Sequence, residues 1–198
     1  MGDREEHPAL SRNLVLIGGR GCGKSSLAKR LARCNRNFML FTLDALIRYE
    51  AEGLTIPEIV ARDGWPGFRA LERTVVDKVS VFEGGALIDA GGGVVVELDE
   101  EGRERFSETK VTALRRHGLV VYLYRDPAFL LARVGRDDNR PALSAEPFAE
   151  IHARRDPWYR RAADHVLECT ELSKIEMQER VLAWYYGELG IDAPAASD

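Results

Sequence analysis

No stretch of this sequence approaches the roughly 18 consecutive apolar residues of a membrane-spanning helix. Its opening, MGDREEHPAL, also lacks the apolar core of a secretory leader. Both absences lead to the expectation of a cytoplasmic chain without membrane contact. Cysteine is scarce: Cys22, Cys34 and Cys169 are odd in number, widely separated and in no metal-ligand spacing. That excludes a disulfide scaffold and points to a reducing compartment. The four histidines are scattered without an HExxH or similar cluster. Positive charge is in deficit, 28 Lys and Arg against 32 Asp and Glu for a formal net charge of −4. A nucleic-acid surface is therefore not expected, and an anionic small molecule has to be held by a local cluster of arginines. Internal repeats and low-complexity tracts are missing too.

What is present is alternation. With 198 residues, 45% of them hydrophobic, the chain is expected to form one domain over 1–198 with a sizeable core. NLVLIG (13–18) reads as a buried strand, and KSSLAKRLARC continues it as a helix with Leu27 and Leu31 four apart. NFMLFTL is a second strand. In TIPEIVARDG, Thr55 and Glu58 form a capping box, and Gly64 ends the helix they open. FRALERTVVDKVSVF places Phe68, Leu71, Val75, Val76 and Val79 on one helical face. ALIDA, LVVYLY and HVLEC supply three more strands, and KIEMQERVLAWYYGEL closes the chain as an amphipathic helix before a frayed tail at about 190–198. Strands alternating with helices predict an α/β fold whose parallel sheet is covered on both faces, with ligands at the strands' carboxyl ends.

Two short motifs lie on that rim. GGRGCGKS (18–25) matches G-x-x-x-x-G-K-[ST] between the first strand and its helix. In such a P-loop, backbone N–H groups at Gly18, Gly21, Cys22 and Gly23, followed by Ser25 and Ser26 at the helix start, cradle phosphates. Lys24 neutralises the β and γ oxygens, and the Ser25 hydroxyl ligates Mg²⁺. These residues predict a nucleoside-triphosphate site. Cys22, near a helix N-terminus, is open to two readings: a redox-sensitive thiol, or a small side chain tolerated in a tight loop. The second motif is ALIDAGGG, in which an apolar strand ends in Asp89 and runs into Gly91, Gly92 and Gly93. Three successive glycines imply either a close approach to the main chain or a loop that moves.

Taken together, the P-loop, Asp44 after the second strand, GFRALE (67–72), AGGGVV, RPAL (140–143) and RRDPWYRRAAD (154–164) resemble the shikimate kinase family from about Leu14 to Cys169. The resemblance implies an α/β/α sandwich with a five-stranded parallel sheet in the order 2-3-1-4-5 and a mobile lid at about 134–147. It implies ATP and Mg²⁺ as cofactors, shikimate as the acceptor phosphorylated on its 3-hydroxyl, a place in aromatic amino-acid biosynthesis, and a monomer. Asp44 would orient or deprotonate the acceptor hydroxyl within an acceptor segment at about 44–72. Arg69 and Arg155 would grip the carboxylate, and Gly91, Gly92 and Gly93 would press main chain against the ring. Arg140 would reach the transferring phosphoryl group from the lid, and Arg133 would lie against the adenine.

Read singly, Arg69 is a solvated helix residue, Arg140 a loop charge and Asp44 a helix cap; it is their joint order that carries the resemblance. Two positions depart from it. Thr42 stands where the family carries a magnesium-supporting Asp, and Arg48 follows Ile47 where the family has an acid. Asp89 is accordingly expected to supply the charge that Thr42 does not, the alternative being that it caps the glycine turn. The segment Glu97 to Gly118 is long, and the simplest expectation for it is a solvated helical elaboration. A gluconate kinase would share the P-loop and lid but is not expected to present the paired arginines. A shikimate-kinase-like nucleotide-binding regulator without turnover is favoured by Thr42 and Arg48 and opposed by Lys24, Asp44, Arg69, Arg140 and Arg155.

Overall fold

The strands of the central sheet are short, mostly apolar runs, the edge segment HVLE being half polar, and each crosses the domain once, which places the chain's loops at the two ends of the sheet. A computed structural model describes residues 10–134 and 146–192. In chain order the elements are β1 (Asn13–Ile17), α1 (Lys24–Cys34), β2 (Met39–Thr42), α2 (Leu43–Glu50), α3 (Ile56–Val79) and β3 (Ala86–Asp89). There follow β4 (Val96–Leu98), β5 (Glu104–Phe106), α4 (Glu108–His117), β6 (Gly118–Tyr124), α5 (Pro127–Val134), α6 (Phe148–Ala162), β7 (His165–Glu168) and α7 (Lys174–Leu189). Five strands pair in parallel in the order β2-β3-β1-β6-β7, and β4 and β5 form a separate antiparallel hairpin. With the sheet strands counted alone, that is the expected order, β6 and β7 being the fourth and fifth.

The side-chain period of two along each strand divides the core into two layers. Val15, Ile17, Ile88, Val120 and Tyr122 face α2, α3, α4 and α6, while Leu14, Leu16, Leu87, Val121 and Leu123 face α1, α5 and α7. Both faces of the sheet are thus covered, as a parallel sheet requires.

Local chemistry sets the ends of the helices that carry the site. The Thr55 side chain accepts from the Glu58 N–H, and Glu58 Oε2 accepts from the Thr55 N–H at 2.7 Å, closing the capping box at the start of α3. Gly64, at φ 68° and ψ 179°, breaks this element, but the helix resumes at once. The connection before Arg69 is therefore a kink and not a loop, and Trp65 and Pro66 already lie in the second helical half.

The segment from Glu97 to Gly118 differs from its expectation. It is the β4–β5 hairpin followed by α4, and Lys110, Val111 and Leu114 are buried against the body of the fold. Its polar look arises because only one stripe of α4 faces inward. The expected lid lies largely, and the tail beyond Asp192 wholly, outside the described residues.

Candidate active site

A cleft of about 1530 Å³ opens at the carboxyl ends of β1, β2 and β3, lined on one side by the P-loop and on the other by Asp44, Arg69 and Arg155. The P-loop wall follows from its glycines. Gly18 has φ +142°, and a Cβ there would stand 2.8 Å from the Leu123 carbonyl oxygen, so the turn out of β1 admits no side chain. Gly23, at φ +103°, then turns the chain into α1. Ser25 and Ser26 are exposed on the first turn of that helix. Lys24 is folded back, its Nζ 2.7 Å from the Gly18 carbonyl and 3.1 Å from that of Gly19. Desolvation disfavours its ammonium. Negative charge around it, from Cys22 and Tyr159 when ionised and from Asp89 and Asp44, still holds its pKa above the ordinary lysine value.

Two residues that sequence reasoning missed brace this wall. Arg125 donates from Nε to the Cys22 carbonyl at 2.9 Å and from Nη1 to the Thr170 carbonyl at 2.9 Å, tying the loop to the end of β7. His152 of α6 is 5% exposed with its Nε2 unpartnered, and its ring lies beside Gly19. Burial holds that imidazole below its ordinary pKa. Cys22 itself is buried, with its Sγ 3.6 Å from Lys24 Nζ.

The far wall is made of side-chain charge. Asp44 sits in the first turn of α2, directly after β2. Asp89 ends β3, is 4% exposed, and pairs in register with Thr42, so the two positions are neighbours on one rung of the sheet. Gly91, Gly92 and Gly93 form a turn closed by Val94 N–H to Gly91 O at 3.1 Å and Val96 N–H to Gly93 O at 2.9 Å.

None of these three glycines has a positive φ. Their role is space. A Cβ on Gly91 would stand 2.8 Å from Asp44 Oδ1, and one on Gly93 would collide with the Arg69 guanidinium. Gly92 faces the P-loop at Arg20 and Gly18. The triplet therefore lets the two walls of the cleft approach one strip of backbone.

Both arginines converge on that strip. Arg69 Nη1 donates to the Gly93 carbonyl at 3.2 Å and to Glu72 Oε2 at 2.8 Å, with its guanidinium carbon 5.6 Å from the Trp65 ring centroid and 5.2 Å from that of Phe68. Arg155 Nη1 donates to the Gly92 carbonyl at 3.4 Å, and its Nε donates to Glu104 Oε2 at 3.0 Å. The Tyr159 hydroxyl donates to the same Gly92 carbonyl. Burial alone would raise the Glu104 carboxyl, but Arg155 and Arg154 hold it below the ordinary glutamate value.

Glu72, Glu104 and Tyr159 were not singled out from the sequence. Glu72 had a signal, since it interrupts the apolar face of Phe68, Val75 and Val76. Glu104 had none, standing in a run of alternating charges. Arg140 lies outside the described residues, as does the Arg133 side chain.

The arrangement can hold a triphosphate on one side and, on the other, an anion with hydroxyl groups, the two meeting across the glycine turn. A family model described as Shikimate kinase matches residues 20–185. The shikimate kinase of Leptospira biflexa is 38% identical over 173 residues, covering 87% of this chain and 94% of its own. Shikimate kinase 2 of Sodalis glossinidius is 36% identical over 169 residues, covering 82% and 89%. Among solved structures, the shikimate kinase from Acinetobacter baumannii in complex with shikimate aligns with a TM-score of 0.74 at 27% identity, covering 89% of this chain and 94% of that one. A gluconokinase from Sinorhizobium meliloti aligns at a TM-score of 0.53 and 14% identity over 91% and 95%, a likeness of fold alone.

Proposed function

The chain belongs to the shikimate kinase family, and from that premise we infer that it transfers the γ-phosphoryl group of ATP to the 3-hydroxyl of shikimate. The observation that carries this reading is the convergence of Arg69 and Arg155 on adjacent carbonyls of the glycine turn, opposite the P-loop. Two guanidiniums on one strip of backbone suit a planar carboxylate far better than lysines would. Paired arginines at that place are what a gluconate kinase is not expected to present. Intact Lys24, Asp44, Arg69 and Arg155 speak against a regulator without turnover.

In the proposed mechanism Asp44 accepts a hydrogen bond from the acceptor hydroxyl and takes its proton as the new P–O bond forms. The bond from the γ-phosphorus to the bridging oxygen breaks, and ADP leaves with the electron pair. Lys24 and the N–H groups of Gly21, Gly23, Ser25 and Ser26 neutralise the phosphate oxygens, because this chemistry needs charge stabilisation and alignment more than covalent help. The backbone of Cys22 completes the loop around the phosphates. Arg140 would add a further positive charge from the lid, and Arg133 a surface for the adenine.

A magnesium ion fits the residues present. The exposed Ser25 hydroxyl and the buried Asp89 carboxylate both line the cleft, and Mg²⁺ in such sites takes few protein ligands, its remaining positions going to phosphate oxygens and water. When bound, Mg²⁺ supplies charge neutralisation to the triphosphate. Ser25 would contact it directly, and Asp89 would do so through water.

A monomer is part of this reading, and the proposed site draws all its residues from one chain. Among the described residues no helix is long and apolar enough to cross a membrane, and all three cysteines are free; both fit a cytoplasmic enzyme. A coupled assay of ADP release with shikimate, with gluconate and without acceptor tests the reading. Release that depends on shikimate alone is expected. Equal release with gluconate, or none with either, would overturn it.

A further inference from the structure

Beneath Arg69 lies a charged residue that this reaction does not by itself require. Lys110, near the start of α4, is 2% exposed, and its Nζ stands 2.5 Å from Glu72 Oε2 and 2.5 Å from the Val96 carbonyl. The same Glu72 oxygen accepts from Arg69 Nη1 at 2.8 Å. One carboxylate is thus shared by two cations. A buried ion pair is a poor device for stability alone, since well-packed apolar groups of like volume commonly do as well or better. Burial draws Lys110 below the ordinary lysine value although Glu72 works against that.

The sum of charges is what distinguishes the cluster. Arg69 with Glu72 alone would be neutral, a closed pair with little left for an incoming anion. With Lys110 the group carries one net positive charge. On the other side of the turn Glu104 is likewise shared, by Arg154 and Arg155, but there Glu146 pairs with Arg154 and balances the total. The surplus therefore sits under Arg69. Arg69 Nε, moreover, is buried without a hydrogen-bond partner, so the guanidinium is not saturated by its protein contacts.

We propose that Lys110 is a positioning residue for the acceptor site: by neutralising Glu72 from below, it leaves the charge of Arg69 uncompensated and available to the acceptor's carboxylate. The inference rests on the reading that Arg69 binds that carboxylate.

The test compares shikimate with its uncharged methyl ester in steady-state assays of the full-length protein. In the wild type the acid is preferred. Lys110→Met, close in length but uncharged, lowers kcat/KM for shikimate about tenfold, the size of one weakened charge-assisted bond. It acts through the KM for shikimate, while kcat/KM for the ester and the KM for ATP stay near wild type. Adding Glu72→Gln to Lys110→Met removes the unbalanced carboxylate and restores the preference for the acid. This double variant also leaves no buried carboxylate without a cation, and Arg69 keeps its contact with the Gly93 carbonyl at the cleft, so it answers the question even if the single variant folds poorly.

Equal losses for acid and ester would make Lys110 a prop between α3 and α4 and overturn the proposal, as would a double variant no better than the single one. A wild type without preference for the acid would instead remove the Arg69 clamp itself, and this inference with it.

Discussion

On the proposed nucleotide side of the cleft the groups are main-chain amides and one lysine, carried by residues 18–26 and shaped by glycine conformation. On the acceptor side they are ionised side chains, drawn from α2, α3, the β4–β5 hairpin, α4 and α6 and held by one another. Gly18 has φ +142°, a conformation set within its own turn, although the space denied to a Cβ is taken by the Leu123 carbonyl of β6. Arg155 depends on Glu104, 51 residues away in the chain. The difference teaches where each half is vulnerable. A backbone cradle fails when the local turn is altered. A charge cluster fails when any member is removed, because the remaining charges redistribute in a poorly solvated place.

The sharpest way to break the comparison is Asp44→Asn. It should cost on the order of 10²–10⁴ in kcat, the usual contribution of an orienting or proton-accepting group, while ATP affinity measured by direct titration stays within about twofold of wild type, as expected for additive, separate halves. Turnover at half the wild-type rate would reduce Asp44 to a helix cap. Next in size is Arg155→Lys. It keeps the charge but loses the planar fork, and a charge-assisted bond contributes on the order of 1.5–3 kcal/mol. The KM for shikimate should rise by roughly 10- to 100-fold with the KM for ATP unmoved. Parallel losses for both ligands would mean that the two halves are one mechanical unit.

Smaller is Asp89→Ala, at the seam between the halves. It should raise the Mg²⁺ concentration giving half-maximal rate, and Thr42→Asp in the same protein should bring it partly back. A metal titration that is indifferent to both changes would remove Asp89 from the site. The smallest effect is optical. Trp65 lies under Arg69, so shikimate added without nucleotide should alter the intrinsic fluorescence, and Trp65→Phe should remove much of that change. Trp184, stacked on His165 at the far end of the molecule, should contribute little to it.

The legibility of the chain divides along the same line. The P-loop is a contiguous string, and β1, β3 and β6 are apolar runs, so the parallel sheet and the P-loop wall were within reach of the sequence, while the strand order came through the resemblance. Asp44, Arg69 and Arg155 were reached only through resemblance, because nothing local distinguishes a clamp arginine from a solvated one. Glu72 and Lys110 each stand on an apolar stripe, Glu72 four residues after Phe68 and Lys110 four before Leu114. Each taken alone reads as a charge to be turned outward. Only the packing of α4 against α3 turns two such exceptions into partners. The kink at Gly64 was half visible: the glycine announced a break and FRALERTVVDKVSVF a second helix, but not that the second helix would begin at once, without a connecting loop.

Thr42 and Asp89 occupy one rung of the β2–β3 ladder, and parallel neighbours in register project to the same face. A carboxylate on either strand would reach the same corner of the cleft. Under the role proposed for Asp89, the acid is addressed by location: the charge that Thr42 does not carry stands one interstrand spacing away. Ladder partners of this kind offer two seats for one charge, separated by a single interstrand spacing, so that a Thr42→Asp change in this chain would fill the second seat while the first is still occupied.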